Sequence, residues 1–181
     1  YTQQIFLINE VPTDVHTVTG IAFQCEGEHP EYSTRLLTIY LGETDKTTFD
    51  GLSAPNWIGA RELKQVFNGY ADLSGDGWVN IAFDSIFIYQ REKNLAVVVA
   101  DNTNDLLSTT TRNFYTHDSE AQRTMHWAGD GFVSASAPPG IATAITAYRN
   151  NVRLLNCGNF ECIPPSYVNV SDISQSGATL T

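Results

Sequence analysis

This 181-residue sequence predicts an all-β, antiparallel sandwich, and three observations predict it. Apolar residues alternate with polar ones over short runs, the period of a strand with one face buried. Thr, Val, Ile and aromatic residues, which fit a pleated surface, are dense along the chain. Long stretches with apolar residues at helical spacing are missing, and one short segment alone leaves room for a helix.

The strands follow in order. Residues 5–8 open the pattern, and 16–24 continue it with Ile21 and Phe23 on one face and Gly20 and Ala22 on the other. In 36–41, Leu37, Ile39 and Leu41 share a face, with Thr38 and Tyr40 opposite. In 78–83, Val79, Ile81 and Phe83 point inward, and Trp78 and Asn80 outward. Residues 95–100, Leu-Ala-Val-Val-Val-Ala, are apolar on both faces, which suits a central strand covered on each side. Residues 144–148 and 152–155 predict a hairpin turning at Arg149, Asn150 and Asn151, since Asn tolerates the left-handed conformations of tight turns. The helical candidate is 58–67, where Ala60, Leu63, Val66 and Phe67 fall on one helical face. The polar, irregular stretch 102–140 predicts long loops crossing one end of the sandwich, where binding sites commonly lie.

Composition excludes some functions. With 20 acidic and 10 basic residues the net charge is -10, which repels phosphate backbones and anionic headgroups, so nucleic acid is not an expected partner. No run approaches the ~18 apolar residues that span a bilayer, so membrane insertion is not expected, and the start at Tyr1 reads as a mature or trimmed chain. Of three cysteines, Cys25 ends an apolar run and is expected in the core. Cys157 and Cys162 are close enough in sequence to form a local disulfide, or to remain thiols; their spacing lacks the second pair a zinc site needs.

Several residue groups are candidates for chemistry. Asp72, Ser74, Asp76 and Gly77 match the first positions of a calcium loop, but position twelve is Phe83 where a bidentate carboxylate is required, so a Gly-Asp-Gly hairpin turn is the better account. Asp101, Asn102 and Asp105 follow the central strand directly and are the candidate calcium ligands, with Asp45 or Asp50 as outside contributors; Asx residues are equally turn formers. His16, His29, His117 and His126 carry no local catalytic signature, and His117 and Asp118, as neighbours in an extended segment, point to opposite faces. No enzyme is expected, although a hydrolase site assembled from distant residues is invisible in one sequence. Glycan binding needs flat aromatic surfaces beside polar groups, and Trp57, Trp78, Tyr115 and Trp127 are the candidates.

Segments 36–49, 65–69, 77–81, 87–89 and 94–103 occur in an order that resembles the cleaved-adhesin, jelly-roll-like modules of large secreted Bacteroidota proteins, over residues 1–155. After a connector at 156–165 that contains Pro164 and Pro165, residues 166–181 resemble the start of a fibronectin type III domain, stopping before its usual tryptophan. The resemblance implies a jelly-roll sandwich that is secreted or held at the cell surface. It implies adhesion, with a glycan or a host or extracellular protein as partner, next to neighbouring domains of the same polypeptide. The alternative is a structural spacer or accessory domain of a surface protein or secreted peptidase.

Overall fold

The computed structural model describes residues 1–26, 34–103 and 113–156, together with the backbone of two strands at 170–174 and 177–180. The first three long strands, β1 (Thr2–Phe6), β2 (Thr17–Glu26) and β3 (Thr34–Thr44), are followed by β4 (Leu63–Asp72), β5 (Gly77–Ile88) and β6 (Asn94–Asp101). They pair antiparallel in a nested order: β3 with β4, β2 with β5, β1 with β6. Nested pairing of this kind is a long hairpin rolled over on itself, and β3 pairing with β6 closes the roll. The sequence expectation of a jelly-roll-like, antiparallel all-β sandwich therefore holds.

Short strands follow: β7 (Asn113–Phe114), β9 (Thr124–His126), β10 (Ala144–Thr146) and β12 (Val152–Asn156) extend the two layers, while β8 (Thr116–Asp118) and β11 (Tyr148–Asn150) pair with each other as a separate two-stranded sheet. The larger sheet has the order β10-β9-β1-β6-β3-β4, and the smaller is β12-β2-β5 with β7 beside β2. A separate hairpin joins β13 (Val170–Ser174) and β14 (Gly177–Leu180). Among the described residues no helix is long and apolar enough to cross a membrane.

The position of β6 explains its composition. It lies mid-sheet, with Leu95 and Val97 facing the second sheet in one apolar cluster that includes Ile21, Phe23, Ile39, Leu41, Val79 and Ile81. Its alternate residues Ala96, Val98 and Ala100 face the other way, under Phe49, Trp57, Ile58, Met125 and Val133. Each fully buried branched or aromatic side chain contributes about 1.5–3 kcal/mol, so both layers count towards stability. The two-sided apolar run thus marks a strand covered on both faces, as predicted. Cys25 is a buried free thiol in the inner cluster, as expected. Cys157 and Cys162 lie outside the described residues.

The cover on the outer face of the large sheet is made of loops, and a buried amide pins it. Gln3 donates to the Tyr1 hydroxyl at 3.0 Å and to the Ile58 carbonyl at 3.2 Å, and accepts from the Ile58 N–H at 2.7 Å. Backbone bonds from Phe49 to Gln122 (2.7 Å), Ala54 to Gly140 (2.8 Å) and Ala142 to Leu52 (2.7 Å) tie the layer together. The stretch predicted to cross one end of the sandwich instead contributes β9 to the large sheet, and its later part covers that sheet's face.

Three local expectations are corrected. At 58–67 the helix is reduced to a 3-10 turn at Ala60–Glu62, and β4 begins at Leu63. The helical spacing came from a bulge: Ile39 pairs with Phe67 and Tyr40 with Gln65, so Val66 is the extra residue, and it is buried in the core. Residues 144–155 form no hairpin; the extended chain leaves the large sheet as β10, pairs β8 as β11, and enters the small sheet as β12. The Asn residues pair side chains across this crossing instead of making a turn. Finally, the Gly-Asp-Gly turn connects strands of different sheets rather than a hairpin within one, with Gly77 at a φ of 78° and Asp72 accepting from the Ser74 N–H.

Candidate functional site

A groove of ≈ 920 Å³ runs beside β12, where the smaller sheet ends. Its floor is apolar, with Phe6, Val11 and Leu95, and its rim is charged. The rim exists because β8 and β11 pair so that His117 stands directly opposite Arg149.

Arg149 is the buried centre of this rim. Its side chain is only 4 % exposed, and it donates to the Ile5 carbonyl at 2.6 Å and, through both terminal nitrogens, to the two carboxylate oxygens of Glu10 at 2.8 and 3.1 Å. Arg123 donates to the same carboxylate at 2.8 Å. The Arg149 guanidinium also lies over the Phe6 ring, 4.5 Å from its centre. Glu10 is presented by a turn: its N–H reaches the Leu7 carbonyl at 2.9 Å, and its carboxylate accepts from the Leu7 N–H at 2.7 Å. Arg91, itself at a φ of 62°, clamps the following loop through the carbonyls of Ile8, Val11 and Pro12. Burial works to raise the Glu10 carboxyl, but the bonds from Arg149 and Leu7 and the charges of Arg149 and Arg123 outweigh it and hold the group below its usual range.

A polar relay fixes His117. Asn151 spends its amide N–H on Gln24 at 2.8 Å, so its carbonyl oxygen accepts from His117 Nδ1 at 2.9 Å. His117 Nε2 is then the acceptor for Arg149 at 3.2 Å. Asp118 points elsewhere and accepts from the Glu120 N–H at 2.8 Å, so the two neighbours do not form a catalytic pair.

The aromatic candidates separate into two groups. Trp57 is 4 % exposed, donates its indole N–H to the Pro139 carbonyl at 2.8 Å and packs edge-on against Tyr1; it is a core residue and leaves the set of ligand contacts. Trp127 is half-buried on the outer cluster, its ring against the backbone of Gly129, where a Cβ would come within 2.5 Å of the indole. Tyr115 is exposed, and its backbone bonds Gln24 and Asn151 beside the groove. Trp78 lines the groove itself. The loop context of Trp127 fails because its loop is folded down onto the large sheet, whereas Tyr115, between β7 and β8, stays exposed.

The calcium candidates have other occupations. Asp101 pairs with Arg35 at 2.8 Å and accepts from the Thr103 N–H, and Asn102 exchanges two bonds with the backbone of Val133, at 3.1 and 2.9 Å. Asp105 and His29 lie outside the described residues. Asp45 is paired with Lys93 at 2.7 Å. No group of three or more His, Cys, Asp or Glu among the described residues is placed to hold a metal ion.

No family model, no curated protein and no solved structure matches this chain. What the groove can do is read from its own residues. Sequence reasoning missed Glu10, Arg123 and Arg149, because nothing local announces a partner 113 or 139 residues away, and missed Arg153, whose stacking partner Trp78 sits on another strand.

Proposed function

We propose that this chain is a non-catalytic binding module of a secreted or surface protein, and that the groove beside β12 receives a glycan. One observation carries the reading: the Trp78 indole and the carboxylates of Asp118 and Glu120 line the same groove, in a volume of ligand size. Binding is favoured over catalysis because both ring nitrogens of His117 are committed, to Asn151 and Arg149. The order of motifs that resembles cleaved-adhesin modules supports the same assignment.

A glycan and matrix-protein array, followed by titration of the best hit, tests it. Trp78→Ala is expected to weaken binding about tenfold or more while melting stays close to wild type, since stacking on an aromatic face contributes on the order of 1 kcal/mol or more. Unchanged affinity in that variant would place the ligand elsewhere. A spacer role is the second reading, favoured by the β13 and β14 hairpin that follows the sandwich. It predicts that deleting residues 1–155 from the parent protein alters reach or stability and leaves glycan binding intact.

A further inference from the structure

The outer face of the smaller sheet builds a planar, unpaired cation at the groove. Trp78 on β5 and Arg153 on β12 both point away from the core, and they sit diagonally across β2: Trp78 is opposite Gln24, and Arg153 is opposite Ala22. The small side chain of Ala22 lets Arg153 lie across β2, which brings its guanidinium carbon to 3.9 Å from the indole centre. A guanidinium stacked in this way keeps its N–H groups in its own plane, directed past the ring edge. Among the described residues Arg153 has no hydrogen bond or ion pair, and the Trp78 indole N–H has no acceptor. The two other arginines of the groove differ: Glu10 occupies both Arg149 and Arg123.

The rest of the rim limits what can answer this cation. Glu10, Asp118 and Glu120 balance Arg123, Arg149 and Arg153, so a polyanion meets as much repulsion as attraction. Asp118 and Glu120 are hydrogen-bond acceptors suited to hydroxyl donors, and Arg153 with the Trp78 N–H supplies donors suited to one carboxylate. Resting on the glycan-binding reading above, we infer that the ligand is a sparsely charged acidic glycan, one carboxylate among many hydroxyls, whose carboxylate is received by the in-plane N–H groups of Arg153. The indole holds the guanidinium in place before the ligand arrives, which lowers the ordering cost of binding. A neutral sugar leaves the Arg153 donors without a charged acceptor, and a heavily carboxylated chain is opposed by Asp118 and Glu120.

The test titrates the whole chain with oligosaccharides that carry a single carboxylate, sialyllactose and a glucuronate-bearing xylan fragment, each beside its carboxyl-reduced form. The acid is expected to bind about tenfold or more tightly than the reduced form, the span of one charge-assisted bidentate contact. Arg153→Gln abolishes that preference with melting unchanged, and Arg153→Lys restores only part of it because an ammonium is not a planar fork. Equal affinity for acid and reduced form, or an Arg153→Gln variant that keeps the preference, overturns this inference and leaves the groove reading in place. A short peptide with one Glu among serines that outcompetes every sugar overturns the glycan class. Loss of all glycan binding by the wild-type chain overturns both.

Discussion

The two long edges of the sandwich are closed in opposite ways. At the β4 and β5 edge the sheets are joined by the short 73–76 turn and by exposed polar contacts: the Asn68 N–H to Asp84 at 2.8 Å, Lys64 to the Ile86 carbonyl at 2.7 Å, and Ser85 to the Gln65 carbonyl at 3.3 Å. At the β12 edge the chain crosses between the sheets in an extended stretch, from β10 through β11 into β12, and the buried Arg149 on that crossing binds the backbone of β1 and the carboxylate of Glu10. Where neighbouring chain already brings strands together, little entropy is left for side chains to offset, and weak contacts suffice. Where an extended crossing joins them instead of a tight turn, one buried cation pins the crossing to β1 and Glu10, and the groove lies beside it.

The contrast can be broken in order of effect. Arg149→Met should be the largest, destabilising by about 2–3 kcal/mol in a denaturant titration: it removes the bond to the Ile5 carbonyl and the bidentate pair with Glu10, whose carboxylate keeps only Arg123 and the Leu7 N–H. A loss below about 0.5 kcal/mol would mean the edge is held by packing alone.

Glu10→Gln sharpens the same edge through pH. The carboxyl of Glu10 is lowered by folding, so its contribution is present above the ordinary carboxylate value and is lost as pH falls through the lowered one. Wild type minus variant stability should therefore be positive at neutral pH and shrink towards zero in acid. A difference that stays constant across that window would contradict the assigned ion pairs. Smallest is Asp84→Ala at the opposite edge, where an exposed bond is lost and about 1 kcal/mol or less is expected. A cost equal to that of Arg149→Met would erase the distinction between the edges.

What could be read from the sequence divides along the same line. Strands whose alternation is governed by a single core, β2, β3 and β5, were legible, and the two-sided run of β6 announced its double cover. Val66 misled because a bulge residue restores an i, i+3, i+4 spacing without a helix. Trp57 misled because no local pattern says that a polar loop folds back over a sheet. Arg149 reads locally as part of a turn, since its burial depends on Glu10, Ile5 and Phe6, all supplied by the opposite end of the chain.

The central claim is that ligand enters at Trp78. Tryptophan fluorescence during glycan titration tests it directly, because Trp57 is buried and Trp127 packs on the outer cluster. The emission change on binding should persist in Trp127→Phe and vanish in Trp78→Phe. Its persistence in Trp78→Phe, with loss in Trp127→Phe, would contradict the account and move the site to the loops over the large sheet.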